Sequence, residues 1–447
     1  MQTRENQILD MPIWKALILF FIPCWLGLMF QQLYNTVDTW MVGRFVGTDA
    51  VAAVGNVSIA VQVVIGICVG IASGSGVVIS QHYGAQKMSQ VRTDIRSSLK
   101  IAWIGGLVLT VICAALAGQM VIWLRTPADI LADSTVYLRI YFLALVPILV
   151  YNFGTAVLRG MGDSKTPLYI LAATSVLNII LDWLFVVRFS LGVFGVAVAT
   201  DISQVVSALL LLWLLRRKVS DLWEPLEEPA CYGQMFRIGL PTAVQSIMYS
   251  SSNVLIQVAI NSFGSAVIAA WTIYGKVDCV CWMTMSAMGV AVTAFAGQNF
   301  GAGRYDRVKR GAWISSAMLG IALVFMVGAC YVFARPIFAF FTPDMEVVDT
   351  GTAMLRFLAP AYMLYFLIEI LPGVLRGCGD VLIPTLACMI GICLIRVLWL
   401  TLVVPIYHTT EMIMLSYTIT WAVTSTFFLV YFLRGKWLDR CIARSAA

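Results

Sequence analysis

Three sets of oxygen-bearing side chains interrupt stretches of this chain that are otherwise apolar. Gln31, Asn35 and Asp38 follow one another at four- and three-residue intervals, so a helix would carry all three on one face. Asn178 and Asp182 repeat the four-residue interval, and Thr200 follows with Asp201 beside it. A carboxyl deep in an apolar segment is costly and needs a partner or a purpose. Gathered together, two carboxyls, a carboxamide and a hydroxyl would form an oxygen-rich site suited to a proton or Na+, with the acids titrating as a pair. For Gln31 and Asn35 an equally good reading is a hydrogen-bonded bridge between neighbouring helices. Asp201 differs again, because it could lie close enough to the outer interface to be hydrated.

The segments that must position these groups are membrane spans. Of the 447 residues 60% are hydrophobic and 12% charged, with a mean hydropathy of +0.89, too little polarity to clothe a globular surface. Apolar runs long enough to cross about 30 Å of hydrocarbon as helices fall at 14–38, 50–80, 98–124, 135–158, 168–188, 193–215, 236–261, 266–296, 312–334, 351–375, 383–405 and 412–433. They lack the alternation of a membrane barrel. The expected fold class is therefore an all-α polytopic membrane protein with twelve transmembrane helices. The first run is too long for the apolar part of a cleavable signal, and none is expected.

Lys87, Arg92, Arg96, Lys100, Arg159, Lys165, Arg216, Arg217, Lys218, Arg304, Arg307, Lys309, Arg310 and Arg434 fall at one set of ends. The opposite ends hold only Arg44, Arg125, Arg139, Arg188, Arg335 and Arg356. The positive-inside rule then places both termini in the cytoplasm of a cell-membrane protein. The net charge of +6 is thereby accounted for without a nucleic-acid partner.

The chain is also written twice. Leu158-Arg159-Gly160-Met161-Gly162-Asp163 with Pro167 recurs 217 residues later as Leu375-Arg376-Gly377-Cys378-Gly379-Asp380 with Pro384. Gln81, Gly84 and Ala85 match Gln298, Gly301 and Ala302 at the same offset. The expected organisation is an N-lobe over 1–217, a cytoplasmic linker over 218–235 that contains Glu224, Pro225, Glu227, Glu228 and Pro229, and a C-lobe over 236–447. Six helices per repeat imply two pseudo-symmetric lobes of the same orientation, related by an axis along the membrane normal.

The polar constellation is not duplicated with the scaffold. The positions matching Asp38 and Asp182 fall on or near Ile256 and Trp399, and the seventh run carries the neutral stripe Ser246, Ser250, Asn253 and Gln257. The second half holds Lys276, Asp278, Glu369 and Arg396 instead. Lys276 and Asp278 could neutralise each other, although residues two apart do not share a helix face. Glu369 is a candidate cleft-facing acid, for cation coupling or for a cationic substrate. The 11 cysteines are spread through the apolar runs as packing residues, and Cys279 and Cys281, with only His82 and His408 as histidines, lack the spacing of a metal centre. A membrane-embedded enzyme is not expected, since no catalytic metal or nucleophile motif is present.

The two Leu-Arg-Gly-x-Gly-Asp turns, together with Ser80-Gln81-His82-Tyr83-Gly84-Ala85 and Gly297-Gln298-Asn299-Phe300-Gly301-Ala302, resemble the multidrug and toxic-compound extrusion (MATE) transporters over essentially the whole chain. The resemblance implies two lobes and secondary active export of organic, often cationic or amphiphilic compounds in exchange for H+ or Na+ by alternating access. It also implies a monomer in the lipid bilayer with no cofactor beyond the coupling ion. The archaeal and DinF-like branch carries an Asp on helix one, Asn-x3-Asp on helix five and a Thr on helix six as its cation site. Asp38, Asn178, Asp182 and Thr200 match it, and Pro23 matches a helix-one proline that bends on protonation. The NorM-like branch uses a Glu on helix seven and an Asp on helix ten; here Gln245 stands on helix seven and Glu369 only approximates the other acid. Asp201 departs from the family pattern. A lipid-linked oligosaccharide flippase of the same superfamily is the alternative that the resemblance leaves open.

Overall fold

The computed structural model describes residues 7–219, 222 and 228–446, and these are helical with no strand. After a single turn at Gln7–Asp10 come α1 (Ile13–Phe45), α2 (Thr48–Gly84), α3 (Met88–Trp123), α4 in two pieces (Leu131–Leu143 and Leu145–Gly160), α5 (Lys165–Asp182, continued by a π-helical segment Trp183–Arg188) and α6 (Gly192–Lys218). The second half runs α7 (Tyr232–Asn261), α8 (Ser265–Gly301), α9 (Tyr305–Phe341), α10 (Met345–Leu358 and Tyr362–Gly377), α11 (Leu382–Cys388, π-helical Met389–Leu394, Ile395–Leu402 and Val404–Tyr407), α12 (Thr410–Arg434) and a terminal α13 (Trp437–Ala446). Among the described residues 10 helices are long and apolar enough to cross a membrane, and the bent α4 makes an eleventh. The 30-residue α7 spans about 45 Å at helical rise, and its polar stripe lowers its hydropathy; with it the spans number the twelve expected.

Two of the breaks in these helices have a covalent cause. α4 bends by 51° between its two pieces. Pro147, on the third position of the second piece, has no N–H to offer the Leu143 carbonyl. α10 is interrupted at the matching depth by a 3-10 turn, Ala359–Ala361, built around Pro360. A break at this depth is thus shared by the two halves, with a proline at each in a different place, but only α4 is bent by more than 40° there. Pro23, by contrast, lies inside an α1 that runs unbroken from Ile13 to Phe45.

The doubled turn keeps its geometry in both copies. Gly162 and Gly379 each adopt φ 87, a left-handed backbone that favours glycine. The next amide reaches back in each case, from Asp163 to the Leu158 carbonyl at 2.8 Å and from Asp380 to the Leu375 carbonyl at 2.9 Å. Asp163 then caps α5, accepting from the amides of Lys165 at 3.1 Å and Thr166 at 3.0 Å and from the Lys218 ammonium. Burial alone would raise this carboxyl, but Lys218 and Thr166 together hold it below the ordinary carboxylate range. Asp380 accepts instead from Tyr431 at 2.6 Å, on α12. Each motif acid therefore ties its loop to the sixth helix of its own half.

The helices divide into two compact units, one of Ile22–Ala243 and the other of the described residues up to Phe21 together with Val244 onward. This division departs from the 1–217 and 236–447 lobes read from the sequence, for local reasons. Arg304 and Arg307 hold the carbonyls of Leu9, Ile8 and Met11, binding the first residues to the second half. In the other unit the start of α7 meets α2 backbone to backbone: a Cβ on Gly239 would lie 2.8 Å from the Ile71 Cα, and one on Gly74 would lie 2.7 Å from the Gly239 nitrogen. Gly70 and Gly74, four residues apart on α2, thus let the two backbones pack closely. Of the expected linker, residues 220, 221 and 223–227, with Glu224, Pro225 and Glu227, lie outside the described residues. Outward faces are apolar, with Leu107, Val111, Phe325, Val332 and Leu433 all exposed, as lipid contact requires.

Candidate functional site

In the Ile22–Ala243 unit, α5 carries Asn178 and Asp182 inward at 3% and 0% exposure, and Thr200 on α6 is also buried. The π-helical segment begins directly after Asp182. Such a segment passes its hydrogen bonds one residue further on and is frequent at functional sites; here the Phe189 amide reaches the Leu184 carbonyl at 3.0 Å. α1 brings a half-buried Asp38 beside Asp182, close enough for each carboxyl to feel the other. Both Asp182 oxygens, both polar atoms of the Asn178 carboxamide and Oδ1 of Asp38 are buried with no hydrogen-bond partner. An isolated buried carboxylate is strongly disfavoured, so the pair must take up a proton or a cation, or open to water.

Asn178 and Thr200 line a small cavity together with Tyr34, Tyr151, Thr174, Ser175, Ser203, Gln204 and Ser207. Its volume of about 20 Å³ suits one water-sized occupant. The lining is tilted toward acceptors, because Thr174, Thr200, Ser203 and Ser207 donate their hydroxyl protons to carbonyls one turn back, at 3.0, 3.0, 2.9 and 2.8 Å. Their lone pairs are left for the cavity. The hydroxyls of Ser175, Ser203 and Ser207 were missed in the sequence, although their spacing repeats the faces of Asn178 and Thr200.

Asp38, Asn178, Asp182 and Thr200 are thus brought together, with Tyr34 among them. Gln31 and Asn35 are exposed on α1, on the same side of the helix as Asp38. Asp201 is not part of the cluster: it lies on another face of α6, where its neighbours are Tyr137 and Tyr141 of α4.

The second half builds a different arrangement. Asp278 on α8 accepts a hydrogen bond from Tyr362 of α10, and Tyr274 lies 2.8 Å from Tyr362, hydroxyl to hydroxyl. Arg396 on α11 is 2% exposed. It donates to Thr420 at 3.2 Å, stands 4.1 Å over the Tyr417 ring and offsets the charge of Asp278. Lys276 is exposed. No ion pair joins it to Asp278 among the described residues, which corrects the neutralised pair entertained above; residues two apart point to different sides of the helix. Glu369 on α10 packs against Gly289 of α8, near Tyr249 and Tyr365. Among the described residues no group of His, Cys, Asp and Glu could hold a metal ion.

Comparison with known proteins places this arrangement in a family. The MatE family model matches residues 23–184 and 241–401, one copy in each half. Probable multidrug resistance protein YoeA of Bacillus subtilis is 30% identical over 399 residues, covering 85% of this chain and 84% of that protein. Probable multidrug resistance protein NorM of Thermotoga maritima is 25% identical over 445 residues, 96% of this chain and 94% of its own length. Among solved structures, a MOP superfamily transporter from Pyrococcus furiosus superposes with a TM-score of 0.90 at 21% identity, covering 98% of this chain and 99% of that one. A MATE transporter in an outward-facing conformation gives 0.89 at 21% identity over the same shares. With both halves matched by the family model and the fold shared end to end, the chain belongs to the MatE family, the MATE transporters.

Proposed function

We infer that this transporter is a multidrug exporter of the cell membrane, driven by an inward H+ or Na+ gradient and working by alternating access with both termini in the cytoplasm. The observation that carries the coupling is the buried, unpartnered Asp182 beside Asp38. Cation uptake cancels the repulsion between two acids held in an apolar unit, and cation loss restores it. The site therefore has two states of different charge, each favouring a different surrounding structure. Pro23 is the natural point of give in α1, since the Leu19 carbonyl finds no amide there. One charge carried through 100 mV is worth about 2.3 kcal/mol, enough to bias such a switch.

Asn178 and Thr200 complete the oxygen set, and the adjoining cavity can hold one water or a small cation. The expected substrates are organic compounds, often cationic or amphiphilic, in keeping with the multidrug-resistance names of the relatives. A flippase for anionic lipid-linked sugars would need several basic groups open to its ligand, yet of the two bases deep inside the spans Arg396 is buried and engaged with Thr420 and Tyr417, which leaves Lys276. The test is efflux of a fluorescent organic cation from everted vesicles under separately imposed pH and Na+ gradients. Gradient-driven export that persists in both Asp38→Asn and Asp182→Asn would show the coupling site to be elsewhere.

A further inference from the structure

Arg139 and Arg356 stand 217 residues apart, the offset of the repeat, and neither belongs to the acid site. The match extends to their neighbours: Thr135-x-x-Leu138-Arg139 recurs as Thr352-x-x-Leu355-Arg356. In each copy the leucine is fully buried and the arginine beside it is exposed. The acid pair occurs in one half only, whereas this charge is kept on the outward face of both. Both arginines also fall at the ends that the positive-inside rule leaves poor in basic residues. Their surroundings face lipid. Val136 and Leu143, one turn to either side of Arg139 on α4, are exposed, as are Phe357 beside Arg356 and Val332 on α9. Arg139 lies four residues into the apolar run 135–158 and Arg356 five into 351–375, about 6–8 Å inside the hydrocarbon edge at helical rise. An arginine stem covers that distance, so the charge reaches the phosphate level while the stem stays in hydrocarbon.

Each guanidinium is held against the preceding helix. That of Arg139 lies over Gly118 of α3, where a Cβ would stand 3.6 Å from Nη2. Nε of Arg356 donates to the Tyr331 carbonyl of α9 at 3.3 Å, and the guanidinium stands 5.4 Å over the Tyr331 ring. The terminal nitrogens of both make no hydrogen bond and no ion pair among the described residues. Asp349, two turns outward on α10, is already paired with Arg335 at 3.1 Å. The unengaged nitrogens form a planar fork that matches two oxygens of a phosphate. We propose that the α3–α4 and α9–α10 grooves each hold one anionic phospholipid, its phosphodiester gripped by Arg139 or Arg356 and its chains lying along the exposed apolar faces. A single unpaired positive charge calls for a headgroup with one net negative charge, as in phosphatidylglycerol, and not for one that carries its own cation. With the termini in the cytoplasm these are lipids of the outer leaflet; that placement rests on the topology read above, the binding does not.

The probe is phosphatidylglycerol, titrated into the delipidated full chain in detergent and counted by native mass spectrometry. The wild type is expected to hold two molecules more tightly than the rest. Arg139→Met and Arg356→Met should each weaken one of them by about fivefold, the effect of one basic residue on anionic lipid, and the double variant should weaken both. Gly118→Trp fills the floor of one groove with every charge left in place, and should release one lipid as well. Arg44→Met removes an exposed charge from the same set of ends and should release none. Unchanged melting temperatures show that the variants fold. Two tight lipids in the double variant, an equal loss in Arg44→Met, or phosphatidylcholine held by the wild type as tightly as phosphatidylglycerol would each overturn the proposal. No gradient or exported compound enters the experiment, so its failure leaves the export reading standing.

Discussion

Each half of this transporter buries charge in an apolar helix bundle, and the two halves treat that charge in opposite ways. In the first, Asp182 is fully buried, the polar group beside it is the second acid Asp38, and the Asn178 carboxamide finds no hydrogen bond. In the second, Asp278 is met by the Tyr362 and Tyr274 hydroxyls and offset by Arg396, which is itself held by Thr420 and Tyr417. A π-helical segment adjoins the charge in both, directly after Asp182 and just before Arg396. Arg396 keeps one buried nitrogen, Nε, without a partner, but its charge is met, whereas no opposite charge meets the acid pair of the first half. A network whose charges are met rigidifies its surroundings, and one whose charges are not can lower its energy by changing what it binds. The second cluster is built as a knot and the first as a switch.

Asp182→Asn is the sharpest way to break this contrast. Gradient-driven efflux should fall to background in everted vesicles, while the melting temperature stays level or rises, because an unpartnered buried acid has been removed. A fall in stability with transport intact would make the first cluster structural too. Arg396→Met should do the reverse: with its counter-charge gone, Asp278 is left buried, costing about 3 kcal/mol, read as a lower melting temperature in detergent with ion coupling preserved. Tyr362→Phe should act in the same sense at about 1–2 kcal/mol, the cost of one lost donor to a buried acceptor.

The smallest effect belongs to the doubled turn, which serves both halves as a clamp. Asp163→Ala should cost about 1 kcal/mol through the lost helix cap. Its pH dependence has a fixed sign. Lys218 and Thr166 hold the carboxyl below its ordinary value, so the contribution is complete above the unfolded value of about 3.9 and disappears as pH falls through the folded one. The gap in melting temperature between wild type and variant should therefore close below about pH 4, and a gap that widens there would remove the ionised cap from the account.

Much of this was legible in the chain. Continuous apolar runs of the right length define membrane helices whatever their neighbours, because lipid satisfies no backbone polar group and the helix must do so alone. The 217-residue offset exposed the duplication, and the four-residue interval of Asn178 and Asp182 fixed a shared face. The bend in α4 was not foreseen, since Pro147 sits in an apolar run whose composition looks uniform. Nor was the fate of Asp278: the sequence offered Lys276 as a neighbour, and the groups that meet it come from α10 and α11, at separations that no local pattern reports.

The sequence by itself determined what is local or periodic: the solvent, the number of spans, the repeat and the chemistry available. Only the tertiary structure decided which polar groups meet. It put Asp38 against Asp182 and gave Asp278 its tyrosines, and it turned Asp201 away from Thr200, its neighbour in the chain, toward Tyr137 and Tyr141 of α4. The reason is geometric. A helix fixes which residues share a face, at about 100° per residue, but which face meets which partner depends on packing between segments far apart along the chain.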